Sequence, residues 1–328
     1  MKRLSCWTLT NGGAGMVNQA IGLAEAMGLR PEPKPSRPRA PWKYLTPRLW
    51  LRPLQAGGAG SDPLAPPWPD LLVSCGGDAV APAIAVGRLG RGRTRTIHVQ
   101  DPMVRLRRFD LVVAPDHDRV TGDNMIVTLG AVGRVNRTRL AAAAEAFAPR
   151  LAHLPRPLIA VLVGGSNACY RLKPAHAASL AESLARLAQR YGAGLMISPS
   201  RRTGARNLAV LKARLEGPGV VIWDGTGENP YFGYLGLADH VVVTCDSVNM
   251  VSEACVTGKP VHVVELDGGN AKFRRFHDAM RRAGMTRPFS GDLDTWHYPA
   301  FDETARAAAE ALHRLGWEHG GAPTAAAP

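Results

Sequence analysis

The sequence predicts an α/β protein built from two Rossmann-like, doubly wound domains that face each other across a cleft. Three observations lead there. Short apolar, β-branched runs alternate with segments of helical apolar spacing along nearly the whole chain. The alternation comes as two successive runs, parted near residue 150 by a proline-bounded linker, Pro149 to Pro157. Glycine-rich turns follow strands in both runs, at the sheet edge where open α/β sheets bind ligands. With 328 residues, 45% of them hydrophobic, the chain can fill two ordinary cores.

In order, Leu4 to Leu9 reads as a strand, and Thr10 to Gly15 as a glycine-rich turn into a helix over Met16 to Met27. This turn is neither G-x-G-x-x-G nor a phosphate-binding P-loop. Three close glycines let a backbone approach a bound group, which makes Gly15 and Asn18 candidate contacts; a plain tight turn is the alternative. Arg30 to Pro69, rich in Pro, Gly and Arg, reads as a short strand and an irregular excursion. Strands follow at Asp70 to Ser74, Thr94 to Val99, Asp110 to Ala114 and Met125 to Thr128, with helices after Gly77 and over Val135 to Phe147.

The second run opens with Leu158 to Val163 and Gly164-Gly165-Ser166-Asn167. Strands at Ala193 to Ser198 and Val220 to Trp223 come next, followed by Gly225 to Tyr234. The most informative stretch is Ala238 to Glu265, which reads strand, turn, helix, turn, strand. A parallel unit of this kind puts Thr244 to Glu253 at the carboxyl edge of the sheet, and a helix amino end there suits a phosphate. Asp246 and Ser247 begin that helix, and Glu253 lies two turns in, placed to meet a sugar hydroxyl. The plainer alternatives are two N-caps and a solvated glutamate. Expected domains are residues 1–150, joined by a last amphipathic helix over 302–317, and residues 156–298; residues 319–328 have the composition of a disordered tail.

Lys and Arg number 40 against 27 Asp and Glu, a formal charge of +13, which suggests an anionic partner: nucleotide phosphates, nucleic acid or an acidic membrane face. The basic clusters at Arg88 to Arg95 and Arg105 to Arg108 do not interleave with aromatics and no nucleic-acid motif occurs, so nucleic acid is not an expected partner. The five cysteines lack C-x-x-C spacing and sit mostly in apolar runs, as buried reduced thiols of a cytoplasmic protein would. No apolar stretch approaches transmembrane length, and the segment after Met1-Lys2-Arg3 does not read as a secretory leader. Cytoplasmic residence is expected, with peripheral contact to an anionic inner-membrane surface left open.

Together these motifs resemble the two-domain GT-B glycosyltransferase superfamily, including its peptidoglycan N-acetylglucosaminyltransferase group. The matching residues are Gly164-Gly165-Ser166, Ser200-Arg201-Arg202, Asp246-Ser247, Ser252-Glu253-Ala254 and Gly258-Lys259-Pro260-Val261. More narrowly, residues 3 to 315 resemble bacterial relatives of the plant mitochondrial-fission factor. That likeness rests on Gly15-Met16-Val17-Asn18-Gln19, Gln100-Asp101-Pro102, Pro115-Asp116-His117-Asp118 and Thr244 to Met250. The resemblance implies a nucleotide-diphosphate sugar as substrate and no cofactor. By it, Glu253 would hold the ribose hydroxyls, and Ser247 with the helix start would face the diphosphate. Gly165 and Ser166 would close on the phosphates, and Arg201 or Arg202 would offset their charge. The turn at Tyr231 would lie against the base, and Asn270 and Lys272 would approach the sugar. The acidic-Gln pair by which many such enzymes hold the donor sugar is missing; Gly268-Gly269-Asn270 stands in its place.

A sugar transferase must stabilise a departing nucleotide diphosphate, and arginines and helix amino ends do this without a metal. No metal site is expected: Asp116-His117-Asp118 spells D-x-D, but in the first domain, away from the proposed donor site. The acceptor hydroxyl needs a general base from that domain, and Asp101 and His117 follow strands at the ligand edge. The alternatives are that Asp101 caps the turn at Pro102 and that His117 is a surface loop residue. The leading expectation is a metal-independent glycosyltransferase acting on a membrane-associated acceptor. A non-catalytic nucleotide-sugar-binding or scaffold protein and a nucleotide-sugar epimerase are the alternatives.

Overall fold

Two six-stranded, all-parallel sheets organise the chain in a computed structural model that describes residues 4–317. The chain divides into two units, one running to Arg134 and taking in the segment from Asp302 onward, the other spanning Val135–Phe301.

The first unit contains β1 (Cys6–Thr10), α1 (Ala14–Ala26), β2 (Pro31–Pro35), β3 (Leu71–Cys75), α2 (Gly77–Leu89), β4 (Arg95–Val99), β5 (Leu111–Pro115) and β6 (Met125–Thr128). Its strand order is β2-β1-β3-β4-β5-β6, so the winding reverses between β1 and β3. Every residue of β1, β3 and β5 is buried, as strands covered on both faces require. β2 carries Pro31, Pro33 and Pro35 and sits at the sheet edge, where missing N–H donors cost no ladder bond. One face of the sheet packs Leu71, Val73, Ile97, Val113 and Ile126 against α1 and against Ala307, Ala311 and Leu312 of the last helix, Glu303–Arg314. That helix is pinned at its start: the Leu129 amide donates to Glu303 (2.6 Å) and the Gly133 amide to Thr304 (2.9 Å). The opposite face packs Leu9, Leu72 and Val112 against Val80, Ala83 and Val86 of α2.

The second unit contains α3 (Arg137–Leu151), β7 (Leu158–Val163), β8 (Tyr170–Arg171), α4 (Pro174–Tyr191), β9 (Gly194–Pro199), α5 (Ala205–Leu215), β10 (Val220–Ile222) and α6 (Tyr231–Leu237). It continues with β11 (His240–Thr244), α7 (Val248–Val256), β12 (Val261–Val264), β13 (Asp267–Gly268), α8 (Ala271–Arg282) and β14 (Thr286–Pro288). The main sheet has the order β10-β9-β7-β11-β12-β14, which reverses between β7 and β11. The two-residue strands β8 and β13 pair antiparallel beside it.

Two expectations need correcting. The helix after Val135, assigned to the first domain, belongs to the second unit and runs through Pro149 to Leu151, so the linker is shorter than the proline spacing suggests. The cause is close helix packing. A Cβ on Gly236 of α6 would lie 2.4 Å from the Leu140 carbonyl oxygen, and one on Gly233 2.6 Å from the Phe147 ring, so these glycines let α6 and α3 meet backbone to side chain. The turn expected at Asn229-Pro230-Tyr231-Phe232 leads straight into a helix, α6, which begins at Tyr231. The expected tail at 319–328 lies outside the described residues.

Candidate functional site

In the second unit, the loops leaving β7 and β11 flank the reversal of strand order, the position where open sheets of this kind bind ligands. Asp246 joins them. Its Oδ2 accepts from the Gly165 amide (3.0 Å) and pairs with Arg202 Nη2 (2.8 Å). Its Oδ1 accepts from Thr244 Oγ1 (2.7 Å), and Thr244 Oγ1 in turn accepts from the Gly164 amide (2.8 Å). Asn167 Nδ2 donates to the Asp246 carbonyl (3.0 Å), while its Oδ1 takes the amides of Cys169 and Tyr170. Thr203 draws in the loop after β9 by donating to the Val163 carbonyl at 2.8 Å.

This network changes the roles expected of several residues. Asp246 is 2% exposed with both carboxylate oxygens occupied, so it holds the loops rather than facing a ligand. Arg202 is tied to that buried carboxylate, whereas Arg201 is exposed and has no hydrogen-bond or ion-pair partner among the described residues. Gly164 and Gly165 are needed by the protein itself. A Cβ on Gly164 would sit 2.1 Å from Asp246 Oδ1, and one on Gly165 1.9 Å from the Arg202 carbonyl oxygen. Ser166 is exposed, and its Oγ accepts from the Leu172 amide at 3.0 Å.

Ser247 caps α7, its side chain accepting from the Met250 amide at 3.3 Å. The first turn of α7 holds no acidic residue, so the positive end of the helix is not offset locally. Glu253, two turns in, is 9% exposed and accepts a 2.6 Å hydrogen bond from the Tyr231 hydroxyl. Burial pushes the Glu253 carboxyl up to about 7, against a smaller opposing effect of that hydrogen bond. Tyr231 is itself pushed well above the usual tyrosine range by burial and by the neighbouring carboxylate. The hydroxyl of Tyr231, a residue expected against the base, is thus engaged by Glu253. Asn270 caps α8 by accepting from the Phe273 amide (3.0 Å) and donates to Cys169 Sγ (3.1 Å), while Lys272 is exposed in the first turn of α8.

In the first unit, Gly15 and Asn18 lie half-buried in the first turns of α1, which starts at Gly13 without a side-chain cap. Asn11 bridges the two loops at that unit's reversal point, accepting from the Gly13 amide (3.0 Å) and donating to Asp78 Oδ2 (2.9 Å). Asp101 accepts from the Met103 amide at 2.8 Å, so it caps the turn at Pro102. His117 is not a surface loop residue: it is 3% exposed, with Nε2 3.3 Å from Asp118 Oδ1. Four cysteines are buried and Cys169 is partly so, all as free thiols. Among the described residues no group of three His, Cys, Asp or Glu side chains is placed to hold a metal, and no helix is long and apolar enough to cross a membrane.

Sequence reading noted Thr244 and Asn167 in these turns but gave no role to them or to Thr203, which together fix the loops. Their signal was present: Thr244 stands two residues before Asp246, and Asn167 directly follows the Gly164-Gly165-Ser166 turn.

The sequence pattern of the family described as Mitochondrial fission ELM1 matches residues 14–315. The Arabidopsis thaliana protein called Mitochondrial fission protein ELM1 is 33% identical over 279 residues, covering 76% of this chain and 65% of that protein. This chain therefore spans just under two thirds of the plant relative's length. Among solved structures, the UDP-GlcNAc 2-epimerase from Methanocaldococcus jannaschii aligns with a TM-score of 0.55 at 11% identity, over 94% of this chain and 99% of that one. The Neisseria meningitidis UDP-GlcNAc 2-epimerase bound to UDP-GlcNAc gives 0.51 at 13% identity, over 95% and 100%. At such identities the likeness shows a shared GT-B-like fold.

Proposed function

The chain belongs to the mitochondrial fission ELM1 family, and we propose that it is a nucleotide-sugar-binding protein whose second unit grips the diphosphate at the amino end of α7. The supporting observation is the electrostatics of the loop junction. Arg202 neutralises Asp246, the carboxylate buried there, so the α7 amino end and exposed Arg201 present net positive charge to an incoming anion. Ser166 borders the same junction, and Glu253 with Tyr231 offers a buried hydrogen-bonding pair for a ribose. The names of the two structural neighbours, both UDP-sugar enzymes, agree with this reading.

The finer proposal is metal-independent glycosyl transfer, with Asp101 or His117 as the base toward an acceptor. A second reading, binding without turnover, draws support from those same residues: Asp101 already caps a turn and His117 is buried. The plant relative's name points to a role in organelle fission. A thermal-shift screen with UDP-, GDP-, ADP- and CMP-sugars in EDTA tests the binding claim. One of them at about 100 times its Kd is expected to raise Tm by roughly 5 °C; no shift with any would count against the site. Mass spectrometry of the products formed from the bound sugar nucleotide, with and without lipid extract, then separates transferase, epimerase and binder.

A further inference from the structure

We propose that one face of the first unit is a docking surface for an anionic lipid bilayer. The segment between Lys34 and Ser61 contains no acidic residue and includes Arg37, Arg39, Lys43, Arg48 and Arg52. It folds as three short 3-10 turns, Trp42–Tyr44, Pro47–Leu49 and Pro53–Gln55. Trp42 and Trp50 turn inward onto Ala56 and onto Ala81 of α2. That packing leaves Tyr44, Leu49 and Leu51 outward, 77%, 61% and 81% exposed. Leu89 at the end of α2 and Met103 after β4 add 51% and 71% exposed apolar side chains. The Pro47–Leu49 turn, the end of α2 and the loop after β4 meet on one side of the unit. Arg48 Nη2 donates to the Met103 carbonyl at 3.3 Å, and a shallow hollow of about 650 Å³ is lined by Arg48, Arg88, Leu89, Arg105 and Arg108.

The charge state of this face decides what fits it. Arg48, Arg52, Arg88, Arg105, Arg107 and Arg108 are all exposed, and none has a carboxylate partner among the described residues. Other arginines of the unit are held in ion pairs, among them Arg95 with Asp110 at 3.0 Å and Arg134 with Glu25 at 2.9 Å. Asp101 and Asp123 line the neighbouring hollow with Arg105 and Arg107, and Asp101 also accepts from the Met103 amide, but neither carboxylate is ion-paired with these arginines. Leucine, methionine and tyrosine tips among unpaired guanidinium groups suit a bilayer surface, where the tips enter the acyl boundary and the arginines meet lipid phosphates. A second copy of the same face would bring like charges together, and the aliphatic tips offer no platform for stacking nucleic-acid bases. The proposal is independent of the nucleotide-sugar reading.

Flotation of the full chain with phosphatidylcholine vesicles, with and without phosphatidylglycerol, tests it. Binding is expected to the phosphatidylglycerol vesicles alone and to fall with added salt. R88A/R105A/R108A is expected to lower partitioning on the order of 100-fold, and R88K/R105K/R108K to retain most of it. L49S/L51S is expected to lower partitioning about 10-fold or more. All these side chains are exposed, so Tm should be unchanged, which the same preparations verify. Absence of flotation by folded wild type would overturn the proposal, as would equal flotation by both disabled variants. So would a dimer, dissociated by L49S/L51S, that binds no vesicle.

Discussion

Both carboxylate oxygens of Asp246 are occupied by the protein, and this gives the site its shape before any ligand arrives. Asp246→Ala would leave the Gly165 amide and the Thr244 hydroxyl without their acceptor and Arg202 without its counter-charge. Because Arg202 is partly solvated, a loss of about 2–3 kcal/mol is expected by urea unfolding, short of the full cost of a broken buried pair. Gly165→Ala, which forces a methyl group onto the Arg202 carbonyl, should cost a similar ~2 kcal/mol or more. Glu253 makes a separate prediction. Its folded-state carboxyl is raised from 4.5 to about 7 by burial, so the native state holds a proton that the unfolded chain releases. This contribution to stability is complete below pH 4.5 and is lost as pH rises through about 7, on the order of 3 kcal/mol in all. Glu253→Gln, which stays neutral throughout, should flatten that part of the stability profile; equal slopes for wild type and variant would contradict the buried-acid assignment.

At the scale of elements, α7 is short and begins on a single side-chain cap, so Ser247→Ala should cost about 1 kcal/mol and weaken anion binding with it. Removal of the chain from Asp302 onward strips Leu312, Leu315 and Trp317 from the core of the first unit, a loss of roughly 5 kcal/mol. Scanning calorimetry should show one transition shifted down and the transition of the second unit retained. Most of the strands of both sheets were legible in the sequence because β-branched runs such as Val241-Val242-Val243 are buried on both faces and carry no competing helical period. The helix α6 was not: Tyr231–Leu237 is short and carries two glycines that read as a turn, and their purpose lies in α3, some 90 residues earlier in the chain. The same glycine contact moved the unit boundary back to Arg134. β14 escaped because three residues ending in proline carry no period to read.

For the whole molecule, the family and the two doubly wound units stand on firm ground, and the motifs after β7, β9 and β11 follow the carboxyl ends of parallel strands. What each motif residue does there depends on side-chain partners that only tertiary structure supplies, as the capture of Arg202 by Asp246 and of Tyr231 by Glu253 shows. The formal charge of +13 is likewise uninformative as a total. It acquires meaning from which arginines are paired, as Arg202 is, and which are not, as Arg201 and the face around Arg88 are not. α7 and Arg201 are proposed to bind a nucleotide diphosphate together. Calorimetric titration of the screened sugar nucleotide, in EDTA, into wild type and Arg201→Ala tests it most directly. Saturable binding by wild type, weakened about 10-fold or more by the variant with Tm preserved, is the expected result. Identical affinities for the two proteins, or binding that disappears in EDTA, would contradict it.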